Sequence, residues 1–163
     1  MIERWVVNAS PLIVLAKVGH QGLLTALADE VVVPQAVVDE INAGPADDPA
    51  RIYLAGVPLP VIETVIDPSV QAWDLGAGET AVLSRALNHE GWRAVIDDGA
   101  ARRCAQVFDI PLIGTLGVIL RARRADLIPS AADVLKLLRE QGLRLDDAVI
   151  GPALQRTVGE RWD

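Results

Sequence analysis

Five residues along this 163-residue chain place oxygen donors where a strand is expected to give way to a helix: Asn8, Glu40, Glu79, Asp97 and Asp98. Carboxylate and amide oxygens, with no accompanying Cys or His cluster, suit a hard divalent cation such as Mg²⁺ or Mn²⁺. Three of the five fall in one stretch, LGAGETAVLSRALNHEGWRAVIDDGAARRC, from Leu75 to Cys104. Glu79 lies in the first turn of a glycine-marked helix, and Asp97 and Asp98 follow a short strand, Ala94 to Ile96, and open the next helix. Open α/β sheets bind ligands beyond the carboxyl ends of their strands, which is where these acids are expected.

Singly, each has a plainer explanation. A carboxylate in the first turn of a helix gains about 0.3–1 kcal/mol from the macrodipole, which accounts for Glu79 alone. Asp98 suits an N-cap, Asn8 suits a turn that bonds its own backbone, and Glu40 suits a solvated helix face. Jointly the pattern points to a cation. Leu83, Ala86 and Leu87 follow Glu79 at helical spacing and put it on the face that packs against the sheet. Adjacent carboxylates repel unless a cation, a shared proton or an arginine relieves them, and Arg102 and Arg103 follow closely.

The elements that must position these groups are read from apolar periodicity and capping. Trp5 to Val7 forms a first strand ending at Asn8, and Ser10 with Pro11 predicts a helix from Pro11 to about Val18. A short helix, Leu23 to Ala28, precedes a strand at Val31 to Val33, and Pro34 opens a helix through Asn42 that carries Glu40. Residues 43–74 read as an irregular excursion with one helical turn around Tyr53 and an edge strand at Val61 to Val65. Leu112 and Ile113 form a further strand, and Thr115 caps a helix through Arg124. Ser130 and Asp146 or Asp147 then start two C-terminal helices over about 130–158. This alternation predicts a single α/β domain over residues 1–163, a short parallel sheet wrapped by helices with right-handed crossovers.

Composition narrows the classes. With 51% apolar and 23% charged residues the chain is an ordinary globule, and the scarcity of Phe and Tyr demands an aliphatic core. One cysteine, Cys104, excludes an internal disulfide and is expected to be a buried helix residue. No apolar run approaches the about 18 residues of a membrane span, so the cytoplasm is the expected setting. A net charge of −7 disfavours gripping nucleic acid by bulk charge, although a bound cation reverses the field locally. Gly76, Gly78 and Ala81 match a dinucleotide-binding pattern, but Gln71, Trp73 and Asp74 stand where a buried strand is required. Arg121, Arg123 and Arg124 form a basic cluster of the kind that ends a solvated helix or contacts phosphate.

Four segments, VVNASPLIVLAKVG, VVVPQAVVDEI, LGAGETAVLSRAL and AVIDDGAARRCAQVFDIPLIGTLGVIL, resemble in order and spacing the PIN-domain ribonucleases, especially the VapC-like group of prokaryotic toxin–antitoxin systems. The resemblance implies a three-layer α/β/α sandwich and an acidic cluster holding Mg²⁺ or Mn²⁺ for endonucleolytic hydrolysis of RNA. Glu40, Glu79 and Asp97 or Asp98 match family acids, whereas the first family position, usually Asp, is Asn8. The roles implied are Glu79 and Asp97 as principal ligands, Glu40 as ligand or water-orienting base, and Asp98 as ligand or supporting group. Asn8 becomes a neutral ligand, and Ser10, Thr115 and Arg102 position phosphate or water. The family also implies a small cognate antitoxin and a homodimer. The alternative expectation is a catalytically silent PIN-like module binding RNA or a protein, motivated by Asn8 and the acidic balance.

Overall fold

The structure, a computed structural model, describes residues 2–57 and 59–163. Its centre is a parallel sheet of β1 (Arg4–Val7), β2 (Glu30–Pro34), β3 (Val61–Ile62), β4 (Trp92–Val95) and β5 (Leu112–Ile113), in the order β3-β2-β1-β4-β5. β1 pairs with β4 in the register Val6↔Ala94 and Val7↔Val95, and with β2 as Trp5↔Val31 and Val6↔Val32. Trp5, Val6 and Val7 have no exposed surface. That burial on both faces explains why β1 and β2 read as unbroken apolar runs.

The helices are α1 (Ala9–Lys17), α2 (Leu23–Leu27), α3 (Gln35–Asn42), α4 (Pro49–Gly56), α5 (Pro68–Gln71), α6 (Ala77–Asn88), α7 (Gly99–Val107), α8 (Thr115–Arg124), α9 (Ala131–Glu140) and α10 (Asp147–Val158). The chain steps outward from β1 to β2 to β3, then returns to β4 and β5. Right-handed crossovers therefore put α1 on one face and α6 and α7 on the other. Packing agrees: α1 meets α3 and α4, α6 meets α7, and α3 packs against both α1 and α6. The expected three-layer α/β/α sandwich is the architecture observed. One continuous cluster forms the core, led by Leu12, Leu15, Leu24, Leu83, Ile119, Leu135 and Leu138, with Cys104 buried inside it.

Several local expectations are corrected. α1 begins at Ala9, not Pro11, because β1 pairing runs to the Asn8 amide and the chain turns helical at once. Ser10 is therefore exposed in the first turn and is not the cap. The stretch read as irregular holds two helices. Asp48 accepts the Ala50 amide at 2.8 Å and starts α4, and Asp67 accepts the Ser69 amide at 2.9 Å and starts α5. Capped proline starts with an alanine-rich interior sustain α4 where prolines suggested loop. β3 is shorter than expected, and β4 begins at Trp92. The basic cluster on α8 is largely consumed by structure: Arg121 pairs with Glu3 at 3.1 Å, and Arg123 with Glu160 at 3.1 Å.

Glu160 fastens the C-terminal segment to α9. Its carboxylate accepts the Ala131 and Ala132 amides at 3.0 and 2.9 Å and the Ser130 hydroxyl at 3.3 Å. Burial pushes this carboxyl up, but the two amides, Ser130 and Arg123 outweigh it and hold it below its ordinary value. A carboxyl lowered in the folded state stabilises the fold above its unfolded pKa, and the contribution fades as pH falls through the folded one. Glu160→Ala should therefore cost about 2 kcal/mol at neutral pH, as the loss of charged hydrogen bonds at a helix start does. Urea denaturation at neutral pH and below the carboxylate range checks this, because the gap between variant and wild type must narrow in acid.

Candidate metal centre

The site is built at the carboxyl edge of the sheet, where the chain order reverses between β1 and β4, the crevice in which open α/β sheets hold ligands. The last rung of the central ladder is the Asn8 amide donating to Val95 O at 3.0 Å. It sets Asn8 at the end of β1, beside the point where β4 runs into Ile96 and Asp97. Asn8 is 4% exposed and occupies the N-cap position of α1, yet its side chain makes no capping bond. Among the described residues its Oδ1 has no hydrogen-bond partner. A buried amide oxygen left unpaired costs about 1–3 kcal/mol, so the turn explanation fails and a ligand-facing role gains weight.

Gly78 explains how α3 and α6 bring two acids to this oxygen. A Cβ at Gly78 would stand 3.1 Å from Glu40 Oε2, 3.2 Å from Asn8 Oδ1 and 3.3 Å from Val37 Cγ2. Glycine thus leaves a cradle in which α6 lies directly against α3, with a carboxylate oxygen and an amide oxygen on its floor. Glu79 is the next residue. Its Oε2 accepts the Gly76 amide at 2.9 Å, closing the first turn of α6. Burial pushes the Glu79 carboxyl up, the Gly76 amide works against that, and the negative charges of Asp98 and Glu40 raise it further. Those last two effects place Glu79, Asp98 and Glu40 in one electrostatic neighbourhood.

Asp97 and Asp98 divide their tasks. Asp98 caps α7, its Oδ2 accepting the Ala101 amide at 3.0 Å. Asp97 is turned to α8, where Thr115 donates to it twice, from the amide at 2.7 Å and from the hydroxyl at 2.6 Å. Thr115 is fully buried, so its hydroxyl positions Asp97. Arg102 donates from Nη1 to Ile96 O at 3.1 Å and holds a half-buried cation beside this strand end. The structure therefore brings Asn8, Glu40, Glu79 and Asp98 around α6, and sets Asp97, Thr115 and Arg102 together next to them. Ser10 stays at the surface at the start of α1.

A model of the PIN domain matches residues 4–159. The chain belongs to the PIN-domain family. No curated protein matches the chain. PIN domains typically have a nuclease-type fold and generally use divalent metals, and this PIN domain has the oxygen-only donors that such ions require. Among its described residues no three His, Cys, Asp or Glu side chains are gathered tightly enough to hold an ion by themselves. Uncompensated carboxylates spread apart, and here each of Glu79, Asp97 and Asp98 leans on a backbone amide. Asn8 Oδ1 lies buried beside them with no hydrogen-bond partner among the described residues. An orphaned amide oxygen, a side-chain-free cradle beside Glu40 and a carboxyl crowded by like charge together fit a cation. No helix of the described residues is long and apolar enough to cross a membrane.

Gly78 was legible in sequence only as part of a glycine pattern; what its missing Cβ accommodates depends on α3, about forty residues away. Two substitutions separate a ligand role for Asn8 from a structural one. Asn8→Ala removes an unpaired buried oxygen and should leave the thermal midpoint unchanged or raised, whereas loss of a capping asparagine would cost about 1 kcal/mol. Gly78→Ala gains up to about 1 kcal/mol of helix propensity but crowds Glu40 and Asn8. It should weaken Mn²⁺ binding in calorimetry far more than it changes stability.

Proposed function

We propose that this PIN domain is a metal-dependent endoribonuclease that hydrolyses RNA phosphodiester bonds with Mg²⁺ or Mn²⁺ as cofactor. The observation that carries this reading is the buried, unpaired Asn8 Oδ1, held with Glu40 Oε2 against Gly78 and one residue from Glu79. An ion there supplies Lewis-acid chemistry: it polarises a phosphoryl oxygen and lowers the pKa of an attacking water.

The chain's own residues do the rest. Asn8, Glu40, Glu79 and Asp98 would hold the ion, and Asp97 would contribute the lone pairs that Thr115 leaves free. Glu40, exposed on the open side of the cradle, is placed to orient water. The Gly76 amide fixes the carboxylate of Glu79, so that side chain need not be ordered on binding. Arg102 sets positive charge beside the acids, where a phosphate chain must approach a protein of net charge −7.

The biological setting we propose is the toxin of a toxin–antitoxin pair, working in the cytoplasm as a homodimer and restrained by a small antitoxin. It is supported by the four VapC-like sequence segments. An antitoxin offering a basic side chain to this acidic edge would be electrostatically complementary.

A second reading is favoured by one feature, the neutral Asn8 where PIN nucleases generally have Asp. It makes the chain a catalytically silent module that binds RNA or protein. Cleavage of a mixed RNA pool with Mn²⁺, with Mg²⁺ and with EDTA decides between the two. The nuclease reading expects metal-dependent cuts that Glu79→Gln reduces by at least about a hundredfold, the scale of losing one group essential to the chemistry. Folded, antitoxin-free protein that leaves the pool intact, yet cuts it once Asn8→Asp is introduced, would identify the silent module.

A further inference from the structure

A cavity of about 420 Å³ opens beside the acid site, between the end of β4, the start of α8 and the loop joining α9 to α10. Asp97, Arg102, Gly114, Arg144 and Val149 are among its walls. We propose that it is a second subsite, in which Arg102 and Arg144 take the backbone phosphate next to the one that is cut. This inference rests on the nuclease reading of the acid site.

The case begins with charge. The chain has 22 Asp and Glu against 15 Lys and Arg, so a surface arginine has ample carboxylates to pair with. Arg4, Arg93, Arg121, Arg123 and Arg139 do so. Among the described residues the other arginines form no ion pair, and of these Arg102 and Arg144 are set apart by lining one cavity, although they come from α7 and a loop some forty residues later. Their one carboxylate neighbour there, Asp97, already accepts two bonds from Thr115. Two guanidinium groups facing one such carboxylate leave the cavity net positive, next to an edge that is otherwise acidic.

Shape points the same way. Arg102 is anchored through Nη1 to Ile96 O at 3.1 Å, which fixes its guanidinium and leaves other N–H groups to donate. A Cβ at Gly114 would lie 2.7 Å from Arg102 Nη1 and 3.0 Å from Asp97 Oδ1, so glycine is what lets this wall close around the arginine. Arg144 is exposed and free to reorient onto an oxyanion. Planar guanidinium groups match phosphate oxygens by paired hydrogen bonds, and one fixed arginine with one mobile arginine suits the passage of a flexible strand. Asp97 belongs to both the cavity and the acid edge, so a phosphate held here is adjacent to the scissile one. The substrate is then a single strand continuing past the cut, not a lone nucleotide.

The test is fluorescence anisotropy of a short end-labelled single strand, as RNA and as DNA of the same sequence, in EDTA and in Ca²⁺ over a salt series. Arg144→Ala should weaken binding by about tenfold, the scale of one charge-assisted contact. The slope of log affinity against log salt should fall by about 0.7. Arg144→Lys should recover part of the loss, and Lys17→Ala, at the far end of α1, should do nothing. Where the chain cuts RNA, Arg144→Ala should raise KM with kcat unchanged. Equal losses on RNA and DNA support a backbone phosphate. A loss confined to RNA assigns the contact to the ribose hydroxyl and overturns the proposal, as does unchanged affinity and slope in Arg144→Ala. A chain with the expected binding losses that never cuts RNA keeps the subsite and loses the nuclease reading; a chain that binds neither strand in either buffer loses both.

Discussion

The pairing of β1 with β4 is the constraint on which the site depends. These strands are adjacent in the sheet although Val7 and its partner Val95 lie 88 positions apart in the chain, and they are buried on both faces. A slip of one residue would turn each side chain to the opposite face, so the register is held by the whole core. Its final rung ties the Asn8 amide to Val95 O, and there both strands give way to chemistry: Asn8 itself on one side, Ile96 and then Asp97 on the other. The acid site is thus a consequence of how a parallel sheet ends. It has the rigidity of the sheet, to which the buried Thr115 adds a hydroxyl bond that fixes Asp97.

Around that edge the protein tolerates features a stable fold would otherwise avoid. Asn8 hides an unpaired oxygen, Gly78 gives up helix propensity, and Glu79 is crowded by burial and by Asp98 and Glu40. The compensations are local and backbone-based. Gly76, Ala101 and Thr115 each donate an amide to one carboxylate, which holds the acids apart and oriented in the absence of an ion. Elsewhere polar groups are spent on structure, as when Glu160 satisfies two first-turn amides of α9 from the far end of the chain. Arg121 and Arg123 are likewise consumed by ion pairs, whereas Arg102 and Arg144, which line one cavity, form none among the described residues.

Much of this was legible in the amino-acid order. β-branched runs at Val6, Val32 and Val95 announced buried parallel strands, and Ser130 with Asp133 marked α9, where the Ser130 hydroxyl does accept the Asp133 amide. Glu79 was readable as a first-turn carboxylate and Asp98 as a cap, and both are so placed. Between 43 and 74 proline and glycine suggest loop beyond the helical turn expected around Tyr53, whereas Pro49 and Pro68 follow Asp caps and start helices, of which α4 holds Tyr53. Ser10 looked like a cap by type. The sheet carries pairing one residue further than local preference implies, and the cap position passed to Asn8.

By itself, then, the sequence determined the elements, their alternation and hence the parallel sandwich, because periodicity, capping and β-branching act over a few residues. It also determined which side chains have the chemistry to hold a hard cation. Only the tertiary structure decided that Asn8 Oδ1 is buried without a partner among the described residues, that Gly78 is the floor on which Glu40 and Asn8 meet, and that Asp97 is bound to Thr115 while Asp98 caps α7. Arg144 had no local signal at all, and its place beside Arg102 arises from the packing of α8 with α9 and α10. Such facts depend on distances between segments far apart in the chain, and those are set by the burial of the sheet and its helices, not by the preferences of neighbouring residues.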